Sequence, residues 1–483
     1  MKIVYSRDQK IKGSLTGDFD KDYAFLEAVF ERSGDIVKNP FCIADFCRAA
    51  AIYVDGMTDA DMVEDFVIRP LLKQKWEEKI SGRELLSYIE NHVMETVDWK
   101  EDETFENILT DILSGNTLLL LEGCKKAIIL STKKYPSRGV GETQQEMVIR
   151  GPKDSFTENM RINTALIRRR IRDPRLKMEH TMTGERSKTD LAIIYMEDLV
   201  RPELLEKIRE KVKNISFDGI FDGGMVEQLL EENAWSPFPQ FQHTERPDKA
   251  ASGLLEGRIV LAVDNSPGVL ILPATYQMFF QAGDDYYTRF EVASFARVLR
   301  FAASLFAIGF PGLYVAIAAF HTEMLPASFL LSVAVARTGI VIPVALEVLL
   351  MEFQFELLKE AGIHLPGQLG GTIVVIVVSF TAIASFIVPN ESFGSVFRLL
   401  KFLFIFTGAI WGIYGFLLTF AALLFHLSQL ESFGVPYMLP SVCGENLNYD
   451  EKKDDYVRYP FAYMLKRPVF TREGRRIRKK EGR

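Results

Sequence analysis

Leu299-Arg-Phe-Ala-Ala-Ser-Leu-Phe-Ala-Ile-Gly-Phe-Pro-Gly-Leu-Tyr-Val-Ala-Ile-Ala-Ala-Phe320 divides this chain in two. From Phe301 to Phe320 there are 20 residues without a charge, preceded by Arg297 and Arg300. About 20 apolar residues at 1.5 Å rise reach across the hydrocarbon core of a bilayer. Residues 1–297 are rich in Asp, Glu, Lys and Arg, whereas residues 298–440 are dominated by Leu, Ile, Val, Phe and Ala. The overall hydrophobic share of 48% averages over these two halves. At 483 residues the chain exceeds one ordinary domain. The expected fold class is an α+β duplicated cytosolic domain followed by an α-helical multi-pass transmembrane domain.

The duplication shows in the first half. Ala50-Ala-Ile-Tyr-Val-Asp-Gly and Ala192-Ile-Ile-Tyr-Met-Glu-Asp share one pattern, and their Tyr53 and Tyr195 stand 142 positions apart (195 − 53). Two hairpin signals follow, one opening at Gly115 and one at Gly257, with the same offset, and Glu122 maps onto Asp264. Each strand leads into a polar helical stretch, Asp59 to Leu72 and Pro202 to Val212. The expected division is an N-terminal extension 1–40, a first α/β subdomain 41–135, a connector 136–185, a second subdomain 186–283, a transmembrane helical domain 284–440 and a basic cytosolic tail 441–483. The extension is expected to hold one short helix near Tyr23 to Arg32.

The connector contains a helix from about Glu158 to Arg170. Arg161, Arg168, Arg169 and Arg170 on it suit a contact surface for lipid headgroups or a partner, or else a solvated face paired with acidic neighbours. Ser236-Pro-Phe-Pro and Glu245-Arg-Pro-Asp are punctuated by Pro and exclude regular helix there. Gly283-Asp-Asp-Tyr-Tyr-Thr-Arg leads into the first span and suits an anchor at headgroup level.

In the apolar half, residues 325–344 are interrupted by Arg337 and Pro343 and read as one bent span or an interfacial element. Glu352, Glu356 and Glu360 recur every four residues on one helical stripe. Such a stripe can attract cations at a pore mouth, or form the wet face of an interfacial helix. Two further spans are expected, Thr372 to Val388 and Phe402 to His426. Gly408, Gly412 and Gly415 in the last allow close helix approach.

The net charge of −7 argues against a nucleic-acid partner. Cys42, Cys47, Cys124 and Cys443 form no C-x-x-C pair and read as small buried hydrophobes. No phosphate-binding loop, nucleophile elbow or H-E-x-x-H motif occurs, so an enzyme is the weakest class, and no cofactor or metal site is expected. A solute permease would need paired repeats in the membrane half, which is too short for them. A scaffold using the Arg-rich helix fits the soluble half. The first 20 residues lack an apolar signal region and the tail from Thr471 to Arg483 is basic, so both ends are expected in the cytosol.

Several blocks together resemble the A subunit of the GerA family of bacterial spore germinant receptors. They are Arg150-Gly-Pro-Lys, Asn163-Thr-Ala-Leu-Ile-Arg-Arg-Arg, Ser236-Pro-Phe-Pro, Thr244-Glu-Arg-Pro-Asp-Lys, Leu255-Glu-Gly-Arg-Ile, Asp284-Asp-Tyr-Tyr and Pro311-Gly-Leu-Tyr-Val. Beyond them come Glu356-Leu-Leu-Lys-Glu-Ala-Gly-Ile-His-Leu-Pro, Ala384-Ser-Phe and Ser432-Phe-Gly-Val-Pro-Tyr. The motif positions singled out are Arg150, Gly151, Pro152, Asn163, Glu245, Arg246, Pro247, Asp248, Asp284 and Asp285. The resemblance implies the spore inner membrane, with the N-terminal domain and C-terminal tail on the core side. It implies a transporter-like B subunit and a lipoprotein C subunit as partners, and homo-oligomers that form a nutrient-gated cation channel triggering germination. A sporulation protein of the SpoVA group shares this architecture and would be an accessory germination channel. One departure stands out: the family's Gly-rich apolar segment is missing here, because Leu365-Pro-Gly-Gln-Leu-Gly-Gly runs straight into Thr372-Ile-Val-Val-Ile-Val-Val-Ser. Two cytosolic ends require an even number of spans, and four result only if residues 325–344 cross.

Overall fold

The computed structural model describes residues 13–43, 47–73, 86, 98–135, 146, 148, 150–339, 341–364 and 391–438. The first unit runs α1 (Phe19–Val29), β1 (Ile36–Ile43), β2 (Cys47–Val54), α2 (Ala60–Val63), a π turn (Glu64–Ile68), α3 (Arg69–Lys73), β3 (Trp99–Asp102), α4 (Phe105–Ile112), β4 (Thr117–Leu121) and β5 (Ala127–Leu130). The second unit runs α5 (Met160–Arg170), β6 (Leu176–Thr183), β7 (Thr189–Met196), α6 (Pro202–Lys213), α7 (Gly223–Leu230), β8 (Gln242–Thr244), α8 (Pro247–Leu255), β9 (Ile259–Val263) and β10 (Val269–Leu272). Both sheets have five antiparallel strands in matching order, β1-β2-β4-β5-β3 and β6-β7-β9-β10-β8. The internal repeat is therefore real in three dimensions.

The strand runs Thr117–Leu121 and Ile259–Val263 are buried at every position. Helices cover both faces of each sheet, so neither face can be polar. In the second unit Ala192, Ile194, Val260 and Ala262 pack on α5 and α8, while Leu191, Ile193, Leu261 and Val263 pack on α6 and α7. Gly115 and Gly257 mark the duplication at atomic scale. Their φ values are +88° and +89°, and a Cβ at either would lie 2.9 Å from the carbonyl oxygen of Met57 or Leu199. Only glycine accepts both the backbone and the crowding.

The units take in more chain than the apolar pattern marks. α1 and β1 belong to the first sheet unit, so the boundary at residue 41 cuts β1. The Arg-rich helix is not a connector. It is α5, the counterpart of α1, packed into the core of the second unit. Both helices carry matching caps. Asp22 accepts from Thr16 N at 3.0 Å, and Asn163 accepts from Thr157 N at 2.8 Å. Cys47 and Cys124 are buried, and burial pushes each thiol up to about 11, whereas Cys42 is exposed. Cys443 lies outside the described residues.

The apolar half contains α9 (Phe290–Phe320), α10 (Ala327–Ala336), α11 (Val344–His364) and α12 (Glu391–Gln429), then a two-stranded hairpin of β11 (Glu431–Ser432) and β12 (Val435–Pro436). Phe290–Phe320 and Val396–Gln429 are long and apolar enough to cross a membrane. The second of these is not one straight span, as expected for Phe402 to His426. At Gly412 the backbone leaves the helix, with φ 59° and ψ −141°. In a continuous helix Thr407 and Thr419 would stand about 18 Å apart, yet their hydroxyls are hydrogen-bonded at 2.8 Å. The rings of Phe404 and Phe416 meet at 5.2 Å. α12 is thus a helical hairpin with arms 391–411 and 413–429, about 31 Å and 25 Å long at 1.5 Å per residue. Its tip meets the end of α9: a Cβ at Gly412 would lie 3.1 Å from Phe320 Cβ. Lower down, Gly312 and Gly408 let α9 and the first arm touch through backbone: a Cβ at Gly408 would lie 2.7 Å from Gly312 O.

Residues 325–344 do not form one span. α10 has 10 residues and stops at Arg337, about half the depth of a bilayer core. Arg337 donates to Ile342 O at 3.0 Å and pairs with Glu347 at 3.1 Å across the break. The expected span Thr372 to Val388 lies outside the described residues.

Candidate functional site at the joint between the two halves

Both ends of the apolar half dock on the second unit, and the motif positions gather there. At the entry, Pro273 follows β10 and the chain turns through two short 3-10 helices, Tyr276–Phe280 and Gly283–Tyr286. Asp285 on the second accepts from Arg297 Nε at 2.9 Å and from Arg300 Nη1 and Nη2 at 2.9 and 2.7 Å. Asp285 and Arg297 are each 2% exposed. Arg300 also donates to Phe280 O at 2.8 Å. A carboxylate between two guanidinium groups, with Ala282 N at 3.2 Å as a further donor, compensates most of the charge it buries. These contacts fix the first turns of α9 to the soluble half.

A second set of contacts widens the joint. Asp284 accepts from Arg150 N at 3.2 Å. Gly151, at φ +127°, lies where a Cβ would be 2.6 Å from the Tyr287 ring, and Pro152 beside it is half-buried. Tyr287 donates its hydroxyl to Asp248 at 2.6 Å, and Arg246 donates to the same carboxylate at 2.7 and 3.1 Å. Burial raises the Asp248 carboxyl, but the hydrogen bonds from Arg246 and Tyr287 outweigh it and leave the group below its ordinary value. Burial and the Asp248 bond push Tyr287 up to about 12. Pro247 occupies the first turn of α8, where its missing N–H costs nothing, which corrects the expectation that Glu245-Arg-Pro-Asp excludes regular helix. Glu245 contributes its carbonyl oxygen, which accepts from Phe156 N at 2.8 Å and Ser155 Oγ at 3.3 Å. Asn163 is the cap of the loop before α5 described above.

At the exit, residues 430–438 return to the same unit. Ser432 Oγ donates to Gln240 O at 2.8 Å and accepts from Ala274 N at 3.1 Å. Tyr276 N donates to Tyr437 O at 2.8 Å, and the fully buried Tyr437 donates its hydroxyl to Pro239 O at 3.0 Å. Between entry and exit, Phe280, Phe301, Phe397, Leu400, Phe404 and Leu427 form one apolar cluster with Phe238.

The arginines of α5 serve contacts within the chain. Arg168 is buried and forks onto Asp35 at 2.7 and 2.9 Å, joining the second unit to the first. Arg170 pairs with Asp154 at 2.5 Å, Arg161 with Asp55 at 2.9 Å, and Arg169 lies 5.0 Å from the Tyr135 ring centre. A headgroup or partner surface is corrected for Arg168, because its guanidinium has no outward face. On the expected acidic stripe, Glu352 takes Lys401 at 2.7 Å and Glu356 takes Arg398, so the first arm of α12 supplies a cation to each of these two carboxylates. The side chain of Glu360 lies outside the described residues. Residue reading missed Asp35, Arg398 and Lys401 as partners. Their only signal was unmatched charge in apolar or distant stretches.

The family model described as Bacillus/Clostridium GerA spore germination protein matches residues 24–375 and 371–470. The chain is 36% identical to spore germination protein A1 of Bacillus subtilis (strain 168), covering 89% of this chain and 91% of that one. It is 34% identical to the uncharacterized membrane protein YfkQ of the same organism, covering 96% and 92%. Among solved structures, the N-terminal domain of the A subunit of the Bacillus megaterium spore germinant receptor GerK3 matches at 29% identity, covering 55% of this chain and 99% of that one, with a TM-score of 0.45. With a family model matched along most of its length and relatives of this similarity, the chain belongs to the GerA family of spore germination proteins.

Proposed function

We propose that the chain is the A subunit of a nutrient germinant receptor in the spore inner membrane. It works there with a transporter-like B subunit and a lipoprotein C subunit, and its oligomer forms a cation channel that opens on nutrient binding and starts germination. The observation that carries this reading is the double clamp on the second unit. The buried Asp285–Arg297–Arg300 cluster holds α9, and Ser432 and Tyr437 hold the end of α12. A displacement of the soluble half then moves both ends of the helical half together, as a gate requires. The hairpin at Gly412 supports an even number of crossings, because it brings the chain back to the second unit. That is the arrangement needed for the N-terminal domain and the tail to share the core side.

The test is potassium release from spores after single nutrients, with the chain intact, deleted, or carrying Asp285→Asn. Loss of release to one nutrient, in the deletion and in Asp285→Asn at normal protein level, is expected of a receptor subunit. Slower release to every nutrient would identify an accessory channel of the SpoVA-group kind. Unchanged release in the deletion would reject both.

A further inference from the structure

We infer that Trp235 is a membrane-surface anchor, seated in the lipid headgroup layer beside the end of α12. Trp235 is 97% exposed, the most exposed large apolar side chain among the described residues. Tryptophan is seldom left bare to water on a soluble surface, and it is enriched where one end of the ring meets apolar chains and the other meets water. Its exposure is not that of a loose loop tip. Trp235 N donates to Asn233 Oδ1 at 3.3 Å, and Ser236 N donates to Asn233 O at 3.1 Å. Gln240 Nε2 donates to Asn233 O at 3.2 Å and its Oε1 accepts from Glu232 N at 2.9 Å. These bonds fix a turn whose backbone points the indole away from the protein.

The position of that turn selects the occupant. Ser236, the next residue and so about 3.8 Å on along the Cα trace, has its Oγ 3.3 Å from His426 Nε2. His426 lies in the last turn of α12, and Phe238 meets its ring at 5.9 Å. Trp235 is therefore held level with the domain-side end of an apolar helical hairpin. The neighbouring Phe425 on that hairpin is exposed, and so is Leu229 on α7. The exposed indole continues the apolar surface of α12 at the depth where helix ends meet headgroups. A third attachment of the second unit follows, to the bilayer itself, added to the covalent entry and exit. The inference rests on the membrane reading of α12 and is independent of channel activity.

The full chain in vesicles of phosphatidylcholine and phosphatidylglycerol provides the test, using lipids brominated at shallow or deep acyl positions as quenchers. The chain has four tryptophans. The emission of Trp235 is taken as the difference between the unmodified chain and Trp235→Phe, and again from a variant with Trp76, Trp99 and Trp411 all changed to Phe. The expected result is a blue-shifted signal that loses most of its intensity to shallow bromolipids and little to aqueous iodide. A signal quenched by iodide and untouched by bromolipids would overturn the inference. So would a signal shielded from both only after partner protein is added, which would assign the residue to a protein contact. The Trp411→Phe difference separates the two premises. Trp411 adjoins the hairpin tip and is exposed, so its emission must respond to bromolipids if α12 is in the membrane at all.

Discussion

At the scale of single residues, several buried charges couple parts of the chain, Arg168 with Asp35 and Arg297 with Asp285 among them. Glu227 on α7 does not, and its burial has a measurable consequence. Burial first, then the neighbouring Glu231 and Asp222 charges, push its carboxyl up to about 7. An acid whose folded value exceeds its unfolded one binds more protons in the folded state. Stability therefore falls as pH rises from the ordinary carboxylate value toward 7, and the loss is complete above it. Glu227→Gln removes the ionisation. The full chain in detergent is expected to unfold at a higher temperature at pH 8, by roughly 2–4 °C for each kcal/mol of relief, with little change at pH 5. An equal shift at both pH values would mean the glutamate acts through packing instead. Sequence leaves the partners of the arginines and glutamates open. A run such as Arg168-Arg-Arg looks alike whether its charges face solvent or a buried Asp35.

At the scale of elements, the sequence pattern served where periodicity has one solution. The two hairpins, β7 and α6 appear where their apolar spacing puts them. α12 had two solutions. A long apolar run with Gly408, Gly412 and Gly415 fits a straight helix with a small-residue face or two arms around a glycine turn. Hydropathy is blind to direction, so contacts decide. Thr407→Cys with Thr419→Cys gives the measurement: mild oxidation should form a disulfide within one chain, because the two side chains already touch. A straight helix holds them about 18 Å apart and forms none. α11 shows the same limit. Its glutamates stand in the sequence at a four-residue spacing, but nothing there shows that Arg398, 42 residues after Glu356, and Lys401, 49 residues after Glu352, face them.

At the scale of the molecule, contacts run in series from the first unit to the second, to the joint, and to the helices. The first link centres on Arg168 and Asp35, beside Lys177, which donates to Val29 O at 2.8 Å, and Gly34 N on Met178 O at 2.9 Å, and α5 extends it through Arg161 to Asp55 and Arg169 to Tyr135. Arg168→Ala leaves a buried carboxylate without its partner, at a cost of about 3–5 kcal/mol. Unfolding of the full chain should show it as a large loss of thermal stability. Replacing both Arg168 and Asp35 by Leu should restore most of that loss, because apolar pairs of similar volume often substitute for buried ion pairs. No recovery in the double variant would assign the cost to packing alone.

The chain order of residue types by itself determined the division into a charged and an apolar half, the duplication with its 142-residue offset, the paired strands and the family resemblance. These follow from local periodicity and from copies of a pattern, both of which are one-dimensional. The tertiary structure decided which charges neutralise each other, that both termini of the helical half seat on the second unit, and that the last apolar run doubles back at Gly412. Those features join residues tens to hundreds of positions apart, where the energy lies in geometry and burial that no window of sequence contains.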